Sequence, residues 1–349
     1  MALQISRARV RSISTLLSTI GLAACSLCER SAPVGLESRA VPRGLSSQSV
    51  MVEGDQRSYD LYVPAAAARG KLLPLMIVLH GSGADGETVR RMSHLDDMAE
   101  KRRFIVVFPN GTSGMFGMHS DWNAGMCCGT ASERNTNDIA FIHQLIAALP
   151  RSLPIDTNRV YVAGFSDGAR MAYHVGCDLS EEVAAIGVIS GSLVDSTCHP
   201  SRAVPMIAFH GTDDHDVGFG EEVPVAMSVS VGLDADTLPR SLSPSVATWA
   251  AINGCRTRVM SRESEHVMRW SFARCDGDSK VELYAIRGAG HAWPGGARDG
   301  SGDVPSPEIS ASMKMTDFLF AHVRQPPGAR VATVASLDDI LGDEKLRPR

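Results

Sequence analysis

The sequence predicts an α/β protein with a mostly parallel central sheet and helices on both faces. Three observations carry that expectation. The runs Leu75–Leu79, Arg159–Ala163 and Pro205–Phe209 are short, apolar and largely continuous rather than alternating, as strands covered on both faces require. Helix-like stretches over 86–102, 138–149 and 246–254 fall between such strands, the alternation that builds a parallel sheet. Each strand also runs into a glycine-containing loop bearing polar or titratable residues, and open α/β sheets place their sites at those carboxyl ends.

From the amino terminus, Arg7, Arg9 and Arg11 precede an apolar segment over 13–24 that is too short to span a bilayer as a helix. Leu22-Ala23-Ala24-Cys25 then resembles the bacterial lipobox. Residues 1–24 are therefore expected to be a lipoprotein export signal, with Cys25 lipidated after cleavage and the chain held to a membrane. Free secretion after ordinary signal-peptidase cleavage is the alternative. Ser26 replaces the aspartate of inner-membrane retention, which points to an outer-membrane or cell-surface address in a two-membrane cell. Residues 25–49, rich in Ser, Pro, Gly and Arg, read as a flexible tether, 50–324 as one catalytic domain, and 325–349 as a polar, disordered tail opening on Gln325-Pro326-Pro327-Gly328.

The chain carries a formal charge of -5; without residues 1–24 it has 31 basic against 39 acidic residues, a net of -8. That balance, with no basic block, excludes a nucleic-acid partner. Eight cysteines fit an oxidising compartment. Setting aside Cys25 and Cys28 leaves six. Cys255 and Cys275 flank the strand-like 266–272 and are expected to pair, while Cys127, Cys128, Cys177 and Cys198 would supply two further bonds, with Cys127 and Cys128 reaching different partners. Zinc is disfavoured, because the domain holds neither a C-x-x-C pair nor H-E-x-x-H. The run Asp214-His215-Asp216-Val217-Gly218 is only superficially like a calcium loop, since it lacks the oxygen ligand and the glycine at the next required positions. No metal or cofactor is expected.

The most informative stretch is Gly164-Phe165-Ser166-Asp167-Gly168, which follows a strand and precedes the helix-like 169–175. A serine on so sharp a turn projects its hydroxyl above the sheet edge, and the flanking glycines permit the close backbone approach. Its partners follow in the order acid, then histidine. The strand ending at Phe209 leads to Asp213, Asp214 and Asp216, and the alternating 281–286 leads to Gly288-Ala289-Gly290-His291. An imidazole can take the serine proton during attack and return it to the leaving group, and a carboxylate fixes the imidazole tautomer. Position alone leaves all three aspartates open. Oxyanion donors are expected from the amides of Asp167 and Ser82, with Gly83 as the alternative to Ser82. His80, which precedes the serine, is expected to prop the oxyanion loop, and His210 to pack at a strand end.

Several blocks resemble the secreted poly(3-hydroxybutyrate) depolymerase and feruloyl esterase family of α/β-hydrolases. They are 57–64, His80-Gly81, Trp122-Asn123-Ala124-Gly125-Met126-Cys127-Cys128-Gly129, Asn137–Ile142, the serine turn, and Gly290-His291-Ala292-Trp293-Pro294-Gly295-Gly296. The family's His-Gly-Thr-x-Asp-x-x-Val pattern falls on 210–217 and implies Asp214 as the acid. The chain departs from the family in having Asn137-Asp138 where paired aspartates are common, and in a longer stretch over 218–245. The resemblance implies a serine carboxylic-ester hydrolase acting through Ser166, Asp214 and His291 on polyhydroxybutyrate-type, feruloyl or short acyl esters. Trp122, Trp293 and the longer stretch are candidates for an apolar substrate wall, or equally for packing. A serine peptidase and a catalytically silent surface binding protein are the rival readings.

Overall fold

The computed structural model describes residues 43–113, 120–125, 129–195, 197–220, 242–298 and 302–325. The sheet has ten strands: β1 (Gly44–Val52), β2 (Asp55–Val63), β3 (Leu73–Leu79), β4 (Ile105–Pro109), β7 (Ile155–Phe165), β8 (Ala185–Ile189), β9 (Met206–Gly211), β10 (Thr257–Arg262), β11 (Val267–Ala273) and β12 (Val281–Ile286). Their spatial order is β1-β2-β4-β3-β7-β8-β9-β12-β11-β10. The six central strands, from β4 to β12, run parallel, and antiparallel strands close both edges. β5 (Thr112–Ser113) and β6 (Ser120–Asp121) form a separate two-stranded ribbon.

Side-chain alternation explains why the central strands read as unbroken apolar runs. Leu75, Ile77 and Leu79 of β3 enter one core, and Met76 and Val78 enter the other. The first core is closed by α4 (Asp138–Ala148), α5 (Asp167–Asp178) and α6 (Pro244–Ile252), through residues such as Phe141, Met171 and Trp249. The second is closed by α1 (Gly86–Ser93), α2 (Leu95–Arg102) and α7 (Ala311–Phe320), through Met92, Leu95 and Met315. Both faces are thus dry, as a parallel sheet demands. A further short helix, α3 (Gly129–Glu133), lies in chain order between β6 and α4.

Several boundaries differ from expectation. Residues 44–49, read as tether, belong to β1, which pairs with β2 along its whole length. The stretch 86–102 is two helices, because His94 adopts φ 53° and caps the first through its amide to Arg90 O. The disulfide Cys255–Cys275 forms as expected. Cys177 bonds Cys198, so neither is available to Cys127 or Cys128, which corrects the expected pairing. Cys127 and Cys128, like the tail, residues 1–42 and most of the longer stretch (221–241), lie outside the described residues.

Candidate active site

β7 ends at Phe165, and the chain turns into α5 at Asp167. Ser166 between them has φ 56° and ψ -119°, a conformation that an L-residue holds only when its surroundings enforce it. The enforcement is visible. The Ser166 amide donates to Ile189 O on neighbouring β8 at 2.9 Å. A Cβ on Gly164 would lie 2.0 Å from Gly168 O, and one on Gly168 2.4 Å from Leu79 O, so both positions require glycine.

β9 and β12 are parallel neighbours in register up to Gly211 and Ile286, which brings the loops after them side by side. Asp214 and His291 meet there. His291 Nδ1 lies 2.9 Å from Asp214 Oδ2 and 3.1 Å from Oδ1. Asp214 Oδ1 also accepts from the amides of Val217 at 2.9 Å and Asp216 at 3.1 Å. Burial works to raise the pKa of Asp214, but hydrogen bonds from His210, His291 and Val217 overcome it and hold the carboxyl well below the usual range. A permanently ionised partner fixes the Nδ1–H tautomer of His291 and leaves Nε2 as its basic nitrogen. Asp213 and Asp216 are exposed. Asp213 accepts from Thr212 Oγ1, and Asp216 reaches the rim of the cavity described next.

Ser166 and His291 line one cavity of about 410 Å³, with Ser82, Val89, Met92 and Phe165 among the other walls. Phe165 also packs on the His291 ring at 4.8 Å. The Asp167 amide is the first of α5, a position without an intrahelical acceptor. The Gly83 amide donates to Ser120 O at 3.0 Å, which removes it as an alternative to the Ser82 amide. The Ser82 hydroxyl is itself held, donating to Asp121 Oδ1 at 2.5 Å.

His80 props this loop. Its Nε2 accepts from the Gly111 amide at 2.9 Å and its Nδ1 donates to Gly81 O at 2.7 Å, which defines a neutral ring; burial pushes its pKa down to about 4. Trp122 and Trp293 are corrected as candidates for a substrate wall. Both are fully buried, and their indole nitrogens donate to His80 O and Ser312 Oγ, each at 2.9 Å, so they pack and anchor.

Three contacts had no clear signal in the sequence. The His291 amide donates to Asp303 Oδ2 at 2.7 Å, an approach open because Gly290 lacks a Cβ that would overlap that carboxylate. Asp121, next to the Trp122 block, grips Ser82. His210, expected only to pack, lies 3.3 Å from Asp214 Oδ2.

Among the described residues, His174, Asp178 and Asp195 have potential metal-ligand atoms within 4.8 Å of one another. They are already engaged with protein groups. Asp195 accepts from His174 Nδ1 at 2.9 Å and from Thr197, and the His174 contact, working against burial, lowers its pKa to about 2.

The family profile described as Esterase PHB depolymerase matches residues 57–229. The chain is 29% identical over 243 residues to Feruloyl esterase B of Piromyces equi, a match covering 66% of this chain and 41% of that protein. It is 26% identical over 240 residues to the bifunctional acetylxylan esterase/xylanase XynS20E of Neocallimastix patriciarum, covering 69% and 31%. The chain therefore spans about a third to two-fifths of the length of these curated relatives. The solved structure of acetyl xylan esterase from Aspergillus awamori superposes with a TM-score of 0.53 at 18% identity, covering 79% of this chain and 99% of that one, a likeness of fold. With the parallel sheet, the serine turn and these matches together, the chain belongs to the Esterase PHB depolymerase family of α/β-hydrolases, through residues 57–229.

Proposed function

We propose that this chain is an exported serine carboxylic-ester hydrolase working through an acyl-enzyme at Ser166. The observation that carries the reading is the buried Asp214–His291 pair opening on the cavity that Ser166 also lines. His291 Nε2 takes the proton as Ser166 Oγ attacks the ester carbonyl. The amides of Ser82 and Asp167 stabilise the tetrahedral oxyanion, and His291 then protonates the leaving alcohol. Water repeats the cycle on the acyl-enzyme, with His291 again as base, releasing the acid and free Ser166.

The substrates proposed are feruloylated or acetylated polysaccharide, polyhydroxybutyrate-type oligomers and short acyl esters. The feruloyl and acetylxylan esterase names of the relatives support the first group, and a cavity with apolar walls at Val89, Met92 and Phe165 suits a small acyl or aryl group. Export rests on the basic leader, the apolar segment and the Cys25 motif, and the two disulfides suit an oxidising compartment. No described helix is long and apolar enough to cross a membrane. Lipidation of Cys25 predicts incorporation of labelled palmitate that is lost in Cys25→Ser.

The function is tested by assaying p-nitrophenyl acetate, methyl ferulate, acetylated xylan and hydroxybutyrate oligomers beside a peptide anilide, with fluorophosphonate labelling of wild type and Ser166→Ala. Ester turnover and labelling that depends on Ser166 are expected. Cleavage of the anilide alone would transfer the chain to the peptidases, and an unlabelled, inert wild type would make it a silent binding protein.

A further inference from the structure

His210 sits within β9, four residues before Asp214, and is almost fully buried. Its Nε2 faces two acceptors, Val217 O at 2.8 Å and Asp214 Oδ2 at 3.3 Å. A ring nitrogen between a carbonyl and a carboxylate must carry a proton, since its lone pair would repel both. One N–H is therefore shared between the carboxylate and the far end of its own loop. Phe219 packs edge-on against the ring at 5.5 Å.

Counting donors around Asp214 shows what this adds. Oδ1 is held by the amides of Asp216 and Val217, whereas Oδ2 meets two imidazoles, His291 at 2.9 Å and His210 at 3.3 Å. Among the described residues, without His210 the Oδ2 side of the carboxylate has only His291, the group it must orient, and the buried Val217 carbonyl loses its donor.

We infer that His210 is a positioning residue for the Ser166 reaction: its Nε2–H locks the Asp214 carboxylate and the 214–217 turn into the one arrangement that aims His291 at the cavity. The role rests on the esterase reading above. His210 touches neither substrate nor reacting atoms and acts through Asp214.

The test compares His210→Gln with His210→Asn. The Gln amide nitrogen reaches the position of Nε2, whereas that of Asn lies near Nδ1 and leaves the donor position empty. kcat and KM on p-nitrophenyl acetate are measured alongside the low-field proton resonance of the His291–Asp214 hydrogen bond. Expected are a Gln variant near wild type, an Asn variant with kcat lowered about tenfold at unchanged KM, and a low-field resonance displaced only in Asn. Equal kcat and equal resonances in the two variants would overturn the role. If wild type hydrolyses no ester, the esterase reading fails, while the resonance comparison still decides whether His210 holds Asp214.

Discussion

Replacing Asp167 by Asn should make the protein more stable above pH 6, although the position adjoins the proposed nucleophile. The carboxyl is almost fully buried, and among the described residues its Oδ2 has no hydrogen-bond partner. Arg170 approaches Oδ1 only to 3.8 Å. Burial, reinforced by the charge of Asp121 and opposed by Arg170 and a hydrogen bond from the Trp122 amide, raises the Asp167 pKa from 3.8 to about 6. The folded state therefore binds the proton more tightly than the unfolded chain. Stability falls as pH rises through the window from about 4 to about 6 and is flat beyond it. A shift of about two units is worth about 3 kcal/mol with the Arg170 attraction already included, and losing the favourable charge at the helix N-terminus reduces the net gain of Asp167→Asn to about 2 kcal/mol. For a domain of this size that is a rise in Tm of about 3–4 °C at pH 7.5 and little or none at pH 4. Thermal unfolding of both proteins at the two pH values checks it. An equal Tm difference at both, or a less stable variant at pH 7.5, would refute the argument.

Asp303→Ala should lower kcat on p-nitrophenyl acetate about tenfold by freeing the His291 backbone, and Asp303→Asn, whose side-chain oxygen still accepts from that amide, should recover most of it; steady-state kinetics of the two variants checks this. Replacing Cys255 and Cys275 by Ser opens a link across 20 positions, so unfolding free energy should drop by about 3 kcal/mol, read in denaturant titrations, while kcat of the folded fraction stays unchanged. Arg57→Ala strands the buried Asp138 carboxylate, whose partner now stands at 2.7 Å, and should destabilise by about 3–5 kcal/mol in the same titrations.

What the sequence made legible was local. The serine turn, the loop after β9 and the glycine-rich loop after β12 each lie on one short stretch, so residue order alone names Ser166, the aspartate cluster and His291. Singling out Asp214 among its neighbours took the family pattern, and the structure gives the physical ground: Asp214 is the aspartate of the cluster that turns inward to meet His291. What stayed hidden were contacts that only folding creates. Asp303 approaches His291 from a later loop, and no spacing announces it. Cys177 ends up beside Cys198 because the end of α5 and the loop after β8 are neighbours in space, and nothing in the cysteine spacing says so. Trp122 and Trp293 suggested a substrate wall because aromatic residues beside reactive loops resemble one. Their indole nitrogens find acceptors inside the core, which makes them supports of those loops.

A further set of contacts that only folding creates lies at β6 and at Trp122, which follows it. Ser120 accepts from the Gly83 amide, Asp121 from the Ser82 hydroxyl, and Trp122 donates to His80 O, so three successive residues grip the loop that supplies a proposed oxyanion donor. The Asn123 amide then donates to Asp138 Oδ2 at 2.8 Å, and Asp138 is bound by Arg57 from β2. Arg57 also stacks over Phe141 at 4.3 Å. Burial raises the Asp138 pKa, and Arg57 and the Asn123 amide oppose that shift. A lone buried carboxylate would take up a proton or rearrange, whereas this one is held by a cation and an amide and can serve as a fixed post. The aspartate of Asn137-Asp138 thus has a physical role in this chain. It ties β2 and α4 to the segment that grips the loop of the proposed oxyanion donor Ser82.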